Sequence, residues 1–140
     1  MWFQDISRLF EKRSDPQHLH ALVEMSSEAL DTLPVGAIRL GADGTVLGYN
    51  QTESRLSGLS PSRVIGRNFF SEIAPCTNVR EFAGEFHDGV RRGELYAVFP
   101  FLFNFKPNPK LVTVTMYLYK PTGNVWVLIK SDLGAPGVPS

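Results

Sequence analysis

The sequence predicts an α+β domain: a five-stranded antiparallel sheet, short helices on one side of it and a helical cap ahead of it. Three observations lead there. Two apolar runs flank Asp43-Gly44 early in the chain, a turn dipeptide between strands. Three longer strand-like runs close the chain, and the stretch between holds short helical segments with their own stop signals. With 140 residues, 43% of them hydrophobic, one domain with a real core is expected.

Taken in order, residues 1–32 read as the cap. Trp2, Phe3, Ile6, Leu9 and Phe10 form one apolar stripe at helical spacing. Asp15-Pro16 looks like a helix start, and Leu19, Leu22, Val23 and Leu30 continue a helical face towards Asp31. The stripe needs a surface to cover, and the only large one available is the sheet face away from the short helices. Residues 33–131 form the main domain, opening with VGAIRL and TVLGY around the Asp43-Gly44 turn. Asn50 caps a short helix reaching Ser57, with Gly58 as its stop, and Ser60-Pro61 opens another turn that ends at Gly66. After NFFSEIAPC, Asn78 and Glu81 have the spacing of a capping pair. Val79, Phe82, Ala83, Phe86 and Val90 then form one stripe up to the stop at Arg91-Arg92-Gly93. Leu95 to Phe105 is strand-like, and Pro100 inside it implies an edge or a bulge. Leu111 to Lys120 alternates Val112, Val114, Met116, Leu118 against Thr113, Thr115, Tyr117, Tyr119, and VWVLIK supplies the last strand. The Gly/Pro-rich residues 132–140 read as a flexible tail.

Charge narrows the function. Fourteen basic residues balance fourteen acidic ones, whereas a nucleic-acid-coating protein wants a basic excess. No apolar run approaches the roughly 20 residues of a membrane span, and MWFQDISRLFEKR is too charged for a secretory signal. A cytoplasmic domain with no nucleic-acid or membrane partner is expected. A lone cysteine rules out an internal disulfide. No metal site is expected from His18, His20 and His87, the first two pointing to different faces of a helix. Cys76 is either a thiol beside a helix start, favoured as thiolate, or a small core hydrophobe. Tyr49 and Glu53, four residues apart across a helix start, can share one side; the plainer alternative is a core tyrosine and a solvated glutamate.

The stretch GYNQTESRLSG, followed by VIGRNFFSEIAPCT and later EFAGEFHDGV, resembles the photoactive yellow protein family, small bacterial blue-light receptors with a PAS fold. The similarity runs from about Leu33 to Lys130, and YNxxE followed by APCT is its specific part. It implies p-coumaric acid (4-hydroxycinnamic acid) carried as a thioester on Cys76, with Tyr49 and Glu53 hydrogen-bonded to the phenolate oxygen. Ser57 falls where the family has a threonine bonded to the tyrosine. The resemblance also implies a pocket shared by Ile38, Phe69, Ala74, Pro75, Thr77, Phe103 and Phe105. It implies a sensor and not an enzyme: light-driven trans-to-cis isomerisation and proton transfer from Glu53 would trigger a conformational signal. Glu53 can donate to a phenolate only while protonated, which burial and a neighbouring anion both favour. A carboxylate then left unpaired in an apolar pocket would release a weakly held segment, the cap first.

Departures from the family pattern carry their own expectations. Leu59 stands where the family has an arginine over the pocket, and Phe105 and Pro107 where it has a tyrosine and a methionine. Slow dark recovery is expected, to be accelerated by Pro107→Met. Enzymes that make and activate a coumaroyl donor are implied partners, beside an unspecified downstream one, with the chain a monomer or weak dimer. One rival is a chromophore-free PAS ligand-binding or dimerisation module, against which all three chemistry residues are retained. The other is a redox protein using Cys76, for which no histidine is placed to act as base.

Overall fold

Period-two alternation in the last strands sorts their side chains onto two faces of a sheet, and both faces are buried. The structure, a computed structural model, describes residues 19–104 and 109–131. Its strands are β1 (Gly36–Leu40), β2 (Val46–Tyr49), β3 (Tyr96–Phe103), β4 (Lys110–Tyr119) and β5 (Asn124–Ser131). They form one sheet in the order β2-β1-β5-β4-β3, every pair antiparallel. The last strand therefore lies in the middle, joining the early hairpin to the β3–β4 pair. Pro100 sits in β3, the edge strand whose one partner is β4, where a missing N–H leaves no central ladder broken.

On the inner face, Val112, Val114, Met116 and Leu118 of β4 meet Val125, Val127 and Ile129 of β5 and a cluster of phenylalanines. Phe82 is the hub: its ring meets Phe99 and Phe101 edge-on at 5.3 Å each, with Phe69 and Phe70 at 5.9 and 5.7 Å. Such pairs add roughly 0.5–1.5 kcal/mol each beyond the area they bury. Helices α3 (Gln51–Ser57), α4 (Pro61–Val64) and α5 (Glu85–Arg92) lie with this core. Gly58 ends α3 at φ 78°, a left-handed position that a side chain would strain.

Two departures from the sequence expectation occur here. The expected Asn78–Glu81 cap does not form. Asn78 closes a short 3₁₀ turn instead, and the next helix is entered from Val79 with no side-chain cap. Its first turn, Arg80–Gly84, is a π turn that runs straight into α5. The wider turn buries Phe82, Ala83 and Phe86 together but leaves Val79, expected on the same stripe, exposed. The apolar stretch Phe69–Ile73 is a second π turn, with no period that a sequence scan recognises.

The outer face packs against the described part of the cap, residues 19–32, and the link that follows it. Leu19, Leu22 and Leu33 cluster with Val35, Ala37, Tyr117, Trp126 and Leu128. The expected continuous helical face is broken in two, α1 (His20–Val23) and α2 (Ser27–Asp31). Ser26 is extended, at ψ 166°, and its hydroxyl accepts the Ala29 N–H at 3.1 Å, restarting the helix. The Trp2–Phe10 stripe, Asp15-Pro16, Phe105, Pro107 and the 132–140 tail lie outside the described residues.

Candidate functional site

Asn50 does more than start a helix. Its side-chain oxygen accepts the Glu53 and Ala37 N–H groups, each at 2.9 Å. Its amide donates to the Leu30 carbonyl at 2.8 Å and the Val35 carbonyl at 3.1 Å. Thr52 donates to the Leu33 carbonyl at 2.6 Å, and the Asp31 carboxylate accepts the Gln51 N–H at 2.8 Å. The first turn of α3 is thus tied to residues 30–35, the link between cap and sheet. Sequence reasoning saw only the cap. The available signal was chemical: among common side chains, Asn and Gln alone offer two donors and two acceptor lone pairs.

That turn delivers Glu53 into the interior. The carboxyl is 1% exposed, its Oε1 is buried without a hydrogen-bond partner, and burial pushes its pKa up to about 8. The acid therefore keeps its proton at neutral pH. It lies against Gly36, where an added Cβ would stand 2.0 Å from Oε1 and 3.0 Å from the Glu53 Cβ. Gly36→Ala should accordingly lower the stability by about 1–3 kcal/mol through overpacking, read as a reduced urea midpoint at unchanged m-value. An unaltered midpoint would mean that the carboxyl is not seated on Gly36.

Tyr49, one turn earlier, ends β2. Its hydroxyl donates to Ser57 Oγ at 2.7 Å. Burial first, and the Glu53 charge second, raise its pKa, while the Ser57 bond opposes the rise. Tyrosine and glutamate both hold their protons, so α3 has two neutral buried donors beside it, Glu53 in its first turn and the Tyr49 hydroxyl bonded at its last residue, Ser57. The plainer reading of Glu53 as a solvated surface residue does not hold.

Cys76 is presented by an unusual segment. The Asn68 side chain accepts the Phe70 and Ser71 N–H groups at 3.0 Å, while Glu72 accepts the Asn68 N–H at 2.9 Å. The Asn68 amide also donates to the Asp43 carbonyl, pinning the π turn to the β1–β2 hairpin. A 3₁₀ turn follows over Pro75–Thr77, braced by the Thr77 hydroxyl donating to the Ala74 carbonyl at 2.6 Å. Cys76, at its centre, is half-buried and packs on the core cluster that contains Tyr49, Ile38, Phe69, Ala74 and Phe103. Pro75 stands exposed beside it, Thr77 is fully buried, and Leu59 packs on the same cluster. The capped helix start expected beside it at Asn78 is not formed. His20 stacks near Tyr117 and Tyr119, and His87 near Phe70 and Phe86. Among the described residues no group of three or more His, Cys, Asp or Glu is placed to hold a metal ion.

A family model described as the PAS fold matches residues 24–119. The chain is also 41% identical over 111 residues to the photoactive yellow protein of Rhodothalassium salexigens, spanning 79% of this chain and 89% of that one. The chain belongs to the photoactive yellow protein family. The photoactive yellow protein of Halochromatium salexigens is 40% identical over the same shares. Among solved structures, the photoactive yellow protein domain from the sensor histidine kinase Ppr of Rhodospirillum centenum is similar with a TM-score of 0.77. It is 45% identical and covers 80% of this chain and 98% of that domain. Photoactive yellow protein domains are photosensory and not enzymatic, and this chain is a sensory domain of that kind. No helix among the described residues is long and apolar enough to cross a membrane.

Proposed function

We propose that the chain is a blue-light receptor with p-coumaric acid held as a thioester on Cys76. When bound, that group supplies visible-light absorption and a double bond that isomerises from trans to cis. The observation that carries the reading is the Glu53 carboxyl, buried, neutral at pH 7 and with an oxygen lacking a partner. A buried polar atom without a partner calls for one, and a neutral carboxyl is a donor for which a phenolate oxygen is a strong acceptor.

Tyr49 supplies the second donor. Ser57 Oγ already accepts the Leu59 N–H at 3.1 Å, so Ser57 can turn its own proton towards Tyr49 and free the tyrosine proton for a ligand. Ile38, Phe69, Ala74 and Phe103 give the apolar wall that strengthens both bonds. Thr77, its hydroxyl committed to Ala74, holds the turn that presents Cys76 and is not itself a ligand donor.

With the chromophore bound and illuminated, Glu53 would be the proton donor to its phenolate oxygen, and once deprotonated it would be a carboxylate among apolar groups. An uncompensated buried charge costs several kcal/mol. The helix it strains is the one bonded through Asn50 and Thr52 to residues 30–35. Loosening those bonds releases the cap, which is the signal. A downstream signalling partner would read it, as the kinase context of the Rhodospirillum centenum domain supports. Enzymes that make and activate the coumaroyl donor complete the set of partners.

Reconstitution with an activated coumaroyl thioester tests the pigment. The expected product gains the mass of one coumaroyl group and absorbs visible light, bleaching under blue light and recovering in the dark. A colourless product of unchanged mass would overturn the reading and leave a chromophore-free PAS module.

A further inference from the structure

A second site lies on the other side of the sheet. A pocket of about 240 Å³, partly open to solvent, lies between the cap and the outer face, lined by Val23, Met25, Leu30, Asp31, Arg39 and Trp126. The sheet register builds its floor. Arg39 of β1 stands directly opposite Gly48 on one side and Trp126 on the other. Gly48 has no side chain to cover the guanidinium, which lies over the Trp126 indole, 6.0 Å from the ring centroid.

The charges in this cavity are not used up by one another. Arg39 Nε is buried and has no hydrogen-bond partner. Asp31 spends one oxygen on the Gln51 N–H, and no ion pair joins it to Arg39 among the described residues. A buried donor without an acceptor is rare in a folded protein and points to something that occupies the space. A simple anion would meet the Asp31 carboxylate, and a simple cation would meet Arg39. An uncharged apolar molecule would leave Arg39 Nε unsatisfied. A molecule carrying both charges close together, with an apolar group, satisfies all three walls.

We propose that this cavity binds a zwitterion of the α-amino-acid class with an apolar side chain. Its carboxylate accepts from Arg39, its ammonium faces Asp31, and its side chain packs on Val23, Met25, Leu30 and Trp126. A pocket of about 240 Å³ has room for a molecule of leucine size. The test below needs neither pigment nor light.

Calorimetric titration of the full chain with L-leucine tests it, alongside L-leucinamide, which lacks the carboxylate, and 4-methylpentanoate, which lacks the ammonium. Leucine should bind saturably, and each analogue should bind at least about tenfold more weakly, the usual effect of losing a charge-assisted hydrogen bond. Arg39→Gln should weaken leucine binding by a similar factor, with its near-ultraviolet circular dichroism unchanged. Leucine should also shift the Trp126 indole N–H resonance. The proposal is overturned if leucine shows no saturable binding, if either analogue binds as tightly as leucine, or if the Trp126 resonance stays still while leucine binds. The analogue series uses the unaltered chain, so it decides the matter even if Arg39→Gln folds poorly.

Discussion

Cys76→Ser will leave the protein colourless and without a mass gain after treatment with an activated coumaroyl donor. The chain has one cysteine, so no second thiol can take its place. A serine hydroxyl is a far weaker nucleophile at neutral pH than a cysteine thiol, so it should not displace the activating group of the donor. The substitution is nearly isosteric at a half-buried position, so the fold should survive it. An unchanged far-ultraviolet circular dichroism spectrum would separate lost attachment from lost structure. Full colour and photobleaching in this variant would remove Cys76 from the account.

Glu53→Gln will stabilise the pigment-free protein at alkaline pH and flatten its pH dependence. Burial raises the Glu53 pKa from an ordinary 4.5 to about 8. Between those values the folded chain holds a proton that the unfolded chain has released. Stability therefore falls as pH rises through that window, with a slope approaching about 1.4 kcal/mol per pH unit. Below 4.5 both states are protonated and the contribution is complete; above 8 it is lost. Glutamine is neutral throughout, so its stability should lack this slope and exceed the wild type by several kcal/mol at the alkaline end. Urea denaturation at intervals from about pH 5 to about pH 9 measures both curves. Parallel curves would show that Glu53 titrates as an exposed acid does.

What could be read in the chain was what local chemistry determines. Asn50 and Gly58 bracket α3 as capping rules require, because a side-chain acceptor and a left-handed residue act on their immediate neighbours. The alternation of β4 named both faces, since Val114 and Tyr117 differ only in the side to which the pleat turns them. Where tertiary packing overrode local preference, the reading failed. Asn78 has a capping residue's chemistry and spacing, but burying Phe82 against β3 and Phe86 against Phe70 favours a π turn entered from Val79. Ser26 breaks the cap helix by a bond of its own that an apolar stripe does not reveal.

The site divides in the same way. Local chemistry picks out Cys76 and the Tyr49–Glu53 pair as candidates, but only the resemblance joins them in one site, because the separation in sequence between an α3 carboxyl and a thiol on a 3₁₀ turn carries no intrinsic signal. The bonds from Asn50 and Thr52 to residues 30–35 went unread, as they join segments that only the fold brings together. Arg39 looked like an ordinary strand residue. Its unpaired Nε becomes visible only when the cap covers it.

The most direct test of the central claim, that Glu53 is a buried acid poised to release its proton, is a light-minus-dark infrared spectrum of the reconstituted protein. A protonated carboxyl band should be lost under blue light, return in the dark and be absent from Glu53→Gln. The same variant should absorb at longer wavelength, because a weaker donor localises less charge on the phenolate oxygen. A bleaching protein whose carboxyl region stays flat, or whose band persists in Glu53→Gln, would contradict the account and assign the proton to another group.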